Sequence, residues 1–216
     1  MKPIGILGGT FDPVHHGHLR LAIECYERLA LAEVRLIPLY TPPHRRPPQT
    51  TPEHRLAMLR IAMGDSDKLK VDDSEIQRQG TSYTIDTVSA LRARLGNVPL
   101  TLLLGADAFN RLHTWHRWEA LLDHVHIVIA ERPGVSAHPD DTSIMGLLDV
   151  HGVTDAALLH TISHGKIFRL QIPWLDISAT RIRDLLRLHH DPSGLLPAAV
   201  IDYIHAHQLY AHTQTS

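Results

Sequence analysis

One cysteine, Cys25, stands in the 216 residues. A lone thiol excludes an internal disulfide and fits a reducing compartment. Its place inside an amphipathic stretch predicts a small buried apolar group rather than a reactive nucleophile. An excess of charge of either sign is missing too: 21 Lys and Arg face 23 Asp and Glu, a formal net charge of −2. That balance points away from a general binder of nucleic acid or of a membrane surface, so phosphate binding has to come from local clusters. Met1-Lys2-Pro3 leads into only a few apolar residues before glycines and Asp12, too few for a signal peptide or a membrane span. A cytoplasmic protein is the expectation. Internal repeats and low-complexity tracts are absent. What remains is ordinary globular material, 44% hydrophobic, and 216 residues suit a single domain, 1–216, with a sizeable core.

The chain is organised around Gly8-Gly9-Thr10-Phe11-Asp12-Pro13-Val14-His15-His16-Gly17-His18. A short apolar run, Ile4-Gly5-Ile6-Leu7, precedes it and reads as a buried strand. Leu19, Ala22, Ile23, Tyr26 and Leu29 follow at the spacing of one helical face. Strand, glycine turn, polar loop and helix put this loop at the carboxyl end of a strand, where α/β sheets bind ligands. Gly8 and Gly9 leave room for a phosphate to approach the backbone, and a helix start near Gly17 offers free N–H groups. His15 and His18 can donate N–H groups to one phosphoryl group and stabilise its transition-state charge. With 18 histidines in the chain, His-x-x-His alone can be accidental. The complete string is different, because a surface loop has no structural need for it.

Val34 to Leu39 reads as a second strand, making the opening unit β-α-β and the fold α/β with a doubly wound, mostly parallel sheet. Thr41 to Pro48 is too proline-rich for helix or central strand. Its His44, Arg45 and Arg46 can reach an anion, or the segment can be a rigid solvated linker. Pro52 to Met63 predicts a helix capped by Thr50 or Thr51, with Leu56, Leu59 and Met63 facing the core. Lys68 to Val71 is a short strand. Thr81 and Ser82 read as caps of a helix that runs to about Leu95 and stops at Gly96. Val98 to Leu104 is a strand ending in Gly105-Ala106-Asp107, where a carboxylate can accept ribose hydroxyls. Trp115 and Trp118 follow among His116 and Arg117, and tryptophan there can simply pack. Val125 to Ala130 is a central strand leading into Glu131-Arg132-Pro133-Gly134.

From Val135 to His164 the apolar residues permit a short helix, and no motif stands out. His138, His151, His160 and His164 share no spacing and read as scattered surface residues rather than a metal site. Lys166 to Gln171 is the last strand. Ile177-Ser178-Ala179-Thr180-Arg181-Ile182-Arg183 then opens a helix. Ser178 caps it, Thr180 offers a hydroxyl, and Arg181 and Arg183 supply charge suited to the β- and γ-phosphates of a triphosphate. Leu196 to Tyr210 reads as a structural closing helix.

Gly9-Thr10-Phe11-Asp12-Pro13 with His15-x-Gly17-His18, and Ile177-Ser178-Ala179-Thr180-x-Ile182-Arg183, resemble the nucleotidylyltransferase superfamily. Ala179 stands where that pattern often has serine. Pro42-Pro43-His44-Arg45, Ser82-Tyr83-Thr84 and Trp115-His116-Arg117-Trp118 are similar to the branch that adenylylates nicotinate mononucleotide. The resemblance implies a Rossmann-like fold. It also implies adenylyl transfer from ATP to nicotinate mononucleotide, releasing pyrophosphate, with Mg2+ held mainly by the ATP phosphates and no protein-bound metal. It implies catalysis by His15 and His18. ATP would meet Gly8, Gly9, Thr10, Phe11, His18, Arg132, Ser178, Thr180 and Arg183. The mononucleotide would meet His44, Arg45, Ser82, Asp107, the backbone N–H groups of Tyr83 and Thr84 at its carboxylate, and the stacking ring of Trp115. Trp118 is expected in the core. Other branches, which act on phosphopantetheine or glycerol phosphate, lack the Ser-Tyr-Thr and tryptophan segments. A non-catalytic nucleotide- or metal-binding protein would not need both His15 and His18.

Overall fold

In a computed structural model of the chain, residues 1–43, 47–131, 138–173 and 175–211 are described. The strands among them are β1 (Ile4–Gly9), β2 (Glu33–Pro38), β3 (Leu69–Val71), β4 (Leu100–Gly105), β5 (His126–Glu131), β6 (Gly152–Val153) and β7 (Ile167–Gln171). They form one sheet in the order β3-β2-β1-β4-β5-β7-β6. Every pairing is parallel. β1 lies between β2 and β4, with Gly5 opposite Val34 on one side and Thr101 on the other.

The helices are α1 (His16–Arg28), α2 (Pro52–Met63), α3 (Ser74–Arg78), α4 (Thr84–Leu95), α5 (Ala106–Asn110), α6 (Thr142–His151), α7 (Leu158–Thr161), α8 (Ala179–Arg187) and α9 (Ala198–Ala206). Strand side chains alternate between two faces, and each face feeds its own apolar cluster. Leu7, Leu36, Leu103 and Val128 join Ala22 and Cys25 of α1, Met58 of α2, Ile182 of α8 and Val200 of α9. Ile6, Leu102, Ile127 and Ile129 join Val88 of α4, Phe109 of α5 and Ile144 of α6. Helices therefore cover both faces, the doubly wound arrangement that the β-α-β opening predicts. No helix among the described residues is long and apolar enough to cross a membrane. Cys25 is fully buried, and burial pushes its thiol up to about 12, which leaves it an inert packing group.

Several details differ from the sequence reading. The buried stripe of α1 is Leu21, Ala22, Cys25 and Leu29, while Leu19, Ile23 and Tyr26 are only half-buried against it. In α2 the core-facing residues are Arg55, Met58, Leu59 and Met63, and Leu56 is half-buried. Thr51 caps α2 by accepting the N–H of His54, whereas Thr50 turns inward to Asp12. Ser82 is not a helix cap: its hydroxyl accepts the N–H of Tyr40, and Tyr83 occupies the cap position of α4. Trp118 is half-buried at the edge of the second cluster rather than inside it. The stretch without a motif holds α6, the edge strand β6 and α7. A two-residue strand is too short to leave a period-2 signal in the sequence.

Chain direction places the site. From β1 the strands step outward through β2 to β3, and then β4 returns to the other flank of β1. The loops after β1 and β4 therefore diverge at their carboxyl ends, opening a crevice at this topological switch.

Candidate active site

The loop after β1 enters that crevice, and its glycines do different work. A Cβ on Gly8 would meet nothing within 4 Å, so this position is open to a ligand. A Cβ on Gly9 would lie 2.9 Å from the Phe11 ring, so here the missing side chain makes room for Phe11 rather than for a phosphate. Phe11 is 1% exposed and holds a left-handed φ of 50°. Its ring meets that of His18 edge to face at 5.0 Å. Gly17 makes room for the other histidine, since a Cβ there would stand 3.0 Å from His15 Nδ1.

His15 and His18 are brought together as a stacked pair with centroids 3.7 Å apart and planes 26° from parallel. His18 Nδ1 accepts the backbone N–H of His15 at 3.3 Å. A neutral imidazole that accepts at Nδ1 carries its proton on Nε2, so His18 is left with one N–H donor of fixed direction. Burial, with His16 nearby, lowers His15 to about 4. Burial, with His15 against it, holds His18 well below its ordinary value. Both rings are thus neutral near pH 7 in the free protein, each with one N–H to offer.

Residues distant in sequence hold this loop still. Arg55, 0% exposed, donates to the carbonyls of Thr10 at 2.8 Å, Leu39 at 2.6 Å and Tyr40 at 3.0 Å. Asp12 accepts from Gln49 N–H, from the Thr50 hydroxyl and from the Tyr210 hydroxyl, each at 2.7 Å. Burial and the Asp12 carboxylate push the Tyr210 hydroxyl well above its ordinary value, so it remains a donor. Leu195 accepts the N–H of His16 at 2.9 Å. The closing segment is therefore part of the loop's support and more than a cover for the core.

The second helix start faces the same loop. Ser178 caps α8 by accepting the N–H of Arg181. Arg183 donates through one terminal nitrogen to the Asp12 carbonyl at 2.6 Å and through the other to Thr180 Oγ1 at 3.1 Å. Its Nε, Thr10 Oγ1 and His15 Nδ1 are buried without a hydrogen-bond partner. Such groups cost about 1–3 kcal/mol each when left unpaired. Ser178 and Thr180 are exposed beside them.

Across the crevice, Ser82 N–H donates to the Thr41 carbonyl at 2.9 Å and ties α4 to the end of β2. Tyr83 and Thr84 occupy the first positions of α4, where backbone N–H groups have no partner within the helix. The Tyr83 ring lies 4.4 Å from that of His116, which brings the start of α4 to the tryptophan segment. Trp115 is half-buried and packs with Tyr83 against one cluster. Asp107 is exposed in the first turn of α5, at the carboxyl end of β4. His44, Arg45 and Arg132 lie outside the described residues. Arg55, Thr50 and Tyr210 were missed by motif reading. Of these Arg55 leaves a trace, as a cation in register with Met58 and Leu59 on an apolar stripe. Among the described residues no group of three or more His, Cys, Asp or Glu could hold a metal ion.

The cytidylyltransferase-like family model matches residues 6–185. A "Probable nicotinate-nucleotide adenylyltransferase" of Aeromonas salmonicida is 48% identical over 209 residues, covering 96% of this chain and 97% of that protein. A Pseudomonas aeruginosa protein of the same name is 48% identical over 210 residues, 97% of each chain. The chain belongs to the nicotinate-nucleotide adenylyltransferases of the cytidylyltransferase-like family. Solved structures share its fold at much lower identity. Plasmodium falciparum nicotinic acid mononucleotide adenylyltransferase complexed with NaAD superposes with a TM-score of 0.74 at 22% identity, covering 97% of this chain and 98% of that one. The same protein complexed with APC gives 0.70, also at 22% identity and with the same coverage.

Proposed function

We propose that this adenylyltransferase joins ATP and nicotinate mononucleotide into nicotinate adenine dinucleotide and pyrophosphate through the residues of the β1–β4 crevice. A phosphate oxygen of the mononucleotide attacks the α-phosphorus of ATP. The bond from that phosphorus to the bridging oxygen of the β-phosphate breaks, and pyrophosphate leaves with the electron pair. The attacking phosphate is already an anion at neutral pH, so no general base is required. The stacked pair of His15 and His18 carries this reading. Two neutral imidazoles at the crevice mouth can donate N–H groups to the α-phosphoryl oxygens as their charge builds, without prior loss of a proton.

ATP lies over Gly8, Gly9, Thr10 and Phe11, with Ser178, Thr180 and Arg183 toward its other phosphates, and the family resemblance adds Arg132 to its contacts. Gly8 is the glycine open to it. Arg183 already reaches the loop, so its guanidinium can join the loop and the triphosphate in one geometry. The mononucleotide lies over Ser82 and Asp107, with Trp115 against the pyridine ring and the N–H groups of Tyr83 and Thr84 at its carboxylate, and the family resemblance adds His44 and Arg45 to its contacts. Backbone donors at a helix start suit a carboxylate and leave an amide NH2 unmatched. Both oxygens of Asp12 already accept protein donors, and no carboxylate cluster stands ready among the described residues. Mg2+ held mainly by the ATP phosphates would supply charge neutralisation to the leaving pyrophosphate.

Mixing the protein with ATP, Mg2+ and nicotinate mononucleotide tests the proposal. Pyrophosphate and the dinucleotide should appear in equal amounts, and the amide mononucleotide should react roughly tenfold to several hundredfold less efficiently. Absence of the dinucleotide, or equal use of acid and amide, contradicts it.

A further inference from the structure

We infer that Glu75 is a positioning residue for the choice of mononucleotide, holding the start of α4 through Thr87, one turn beyond Tyr83 and Thr84. The inference rests on the reading above, in which those two N–H groups meet the pyridine carboxylate. Glu75 belongs to α3, the short helix between β3 and α4, and no motif marks it. It is 3% exposed, an unusual place for a carboxyl group. Its Oε1 accepts the hydroxyl proton of Thr87 at 2.5 Å, one turn into α4. Its Oε2 is buried without a hydrogen-bond partner. Burial raises the Glu75 carboxyl, and Ser82, Thr87 and Arg78 oppose that rise. Arg78 donates to the Thr87 hydroxyl oxygen at 3.1 Å and completes the cluster.

The Thr87 hydroxyl has one proton and two acceptors within reach. It spends that proton on Glu75, while the Tyr83 carbonyl stands 3.5 Å away. That carbonyl accepts instead from the N–H groups of Asp86 at 3.1 Å and Thr87 at 3.4 Å. Without the Glu75–Thr87 bond the first turn of α4 loses its tether to α3, and a Thr87 hydroxyl left without the carboxyl also turns back onto the Tyr83 carbonyl, a bond that bends helices. The peptide groups of Tyr83 and Thr84 then rotate, and donors that must meet two carboxylate oxygens within a few tenths of an ångström lose alignment. Stacking on Trp115 is indifferent to that rotation.

Competition kinetics between the two mononucleotides test this, with KM for ATP measured in parallel. Glu75→Ala should lower the acid-over-amide ratio of kcat/KM by about tenfold and leave KM for ATP near its original value. Glu75→Gln keeps a carbonyl oxygen facing Thr87 and should restore most of the ratio, which a purely structural role does not require. Thr87→Val, close in shape and unable to bond either acceptor, should also lower the ratio. It decides alone if Glu75→Ala does not fold. An unchanged ratio in Glu75→Ala or in Thr87→Val overturns the role of Glu75. So does a matching loss for ATP and both mononucleotides. If the unaltered protein shows no preference for the acid, the assignment of Tyr83 and Thr84 fails, and this inference falls with it.

Discussion

The Tyr210 hydroxyl donates to Asp12 Oδ1 over 2.7 Å, joining the segment beyond α9 to the loop that follows β1. Asp12 is 5% exposed, and its remaining donors come from Gln49 and Thr50, so two separate segments meet on one carboxylate. A buried carboxylate needs such partners, because an unpaired one is costly.

Tyr210→Phe removes one of them and keeps the ring. The expected loss is about 1–3 kcal/mol of unfolding free energy, read as a lower urea midpoint with unchanged slope. Turnover should fall as well, because Asp12 is continuous with the loop that carries His15. A midpoint equal to that of the unaltered protein contradicts this account of the loop's support.

Gly17→Ala separates activity from stability. Alanine in a first helical turn is intrinsically better than glycine by about 1 kcal/mol, while the new Cβ would press on His15 at 3.0–3.1 Å. Turnover should drop at least tenfold as His15 leaves its stacked position, with little change in the unfolding midpoint. An alanine variant with normal turnover would show that the stacked geometry does not matter.

Acid should destabilise the protein in a defined window. The unfolded chain binds protons on histidine near 6.5, while folded His15 does so only near 4. His18, His126 and His164 are lowered in the same direction by burial. Between those values the unfolded state holds more protons, so stability is full above about pH 6.5 and declines as pH falls. Buried His15 and His18 each contribute a slope of up to about 1.4 kcal/mol per pH unit, and solvent screening makes the contribution of the more exposed His164 smaller. Urea midpoints at pH 7 and pH 5 check this, and a midpoint that rises at pH 5 contradicts it.

The sequence was most legible where backbone geometry and chemistry coincide. Strands of four or more apolar residues, the Ser178 cap and the His15–His18 loop each have a local cause, so each was visible in a short window. What sequence reading missed is what joins windows. Arg55 reads as one charge on a helix until its three carbonyl partners are known. Tyr210 lies 198 residues from Asp12 in the chain, and only the packing of α9 brings the two together. Gly9 read as space for a ligand, whereas the fold fills that space with the ring of Phe11, and the space at Gly17 is taken by the ring of His15. Ser82 read as a cap because serine before a helix usually is one. The close return of Tyr40 redirected its hydroxyl.

The central claim is that a neutral N–H donor on His18 stabilises the charge of the adenylyl transfer. Its most direct test is the single-turnover rate of pyrophosphate release from ATP and nicotinate mononucleotide, compared between the unaltered protein and His18→Ala. Circular dichroism and the urea midpoint establish that the variant is folded. A loss on the order of 100-fold or more, with both substrates still bound, is the result predicted. A folded His18→Ala protein that releases pyrophosphate at the original rate would contradict the account.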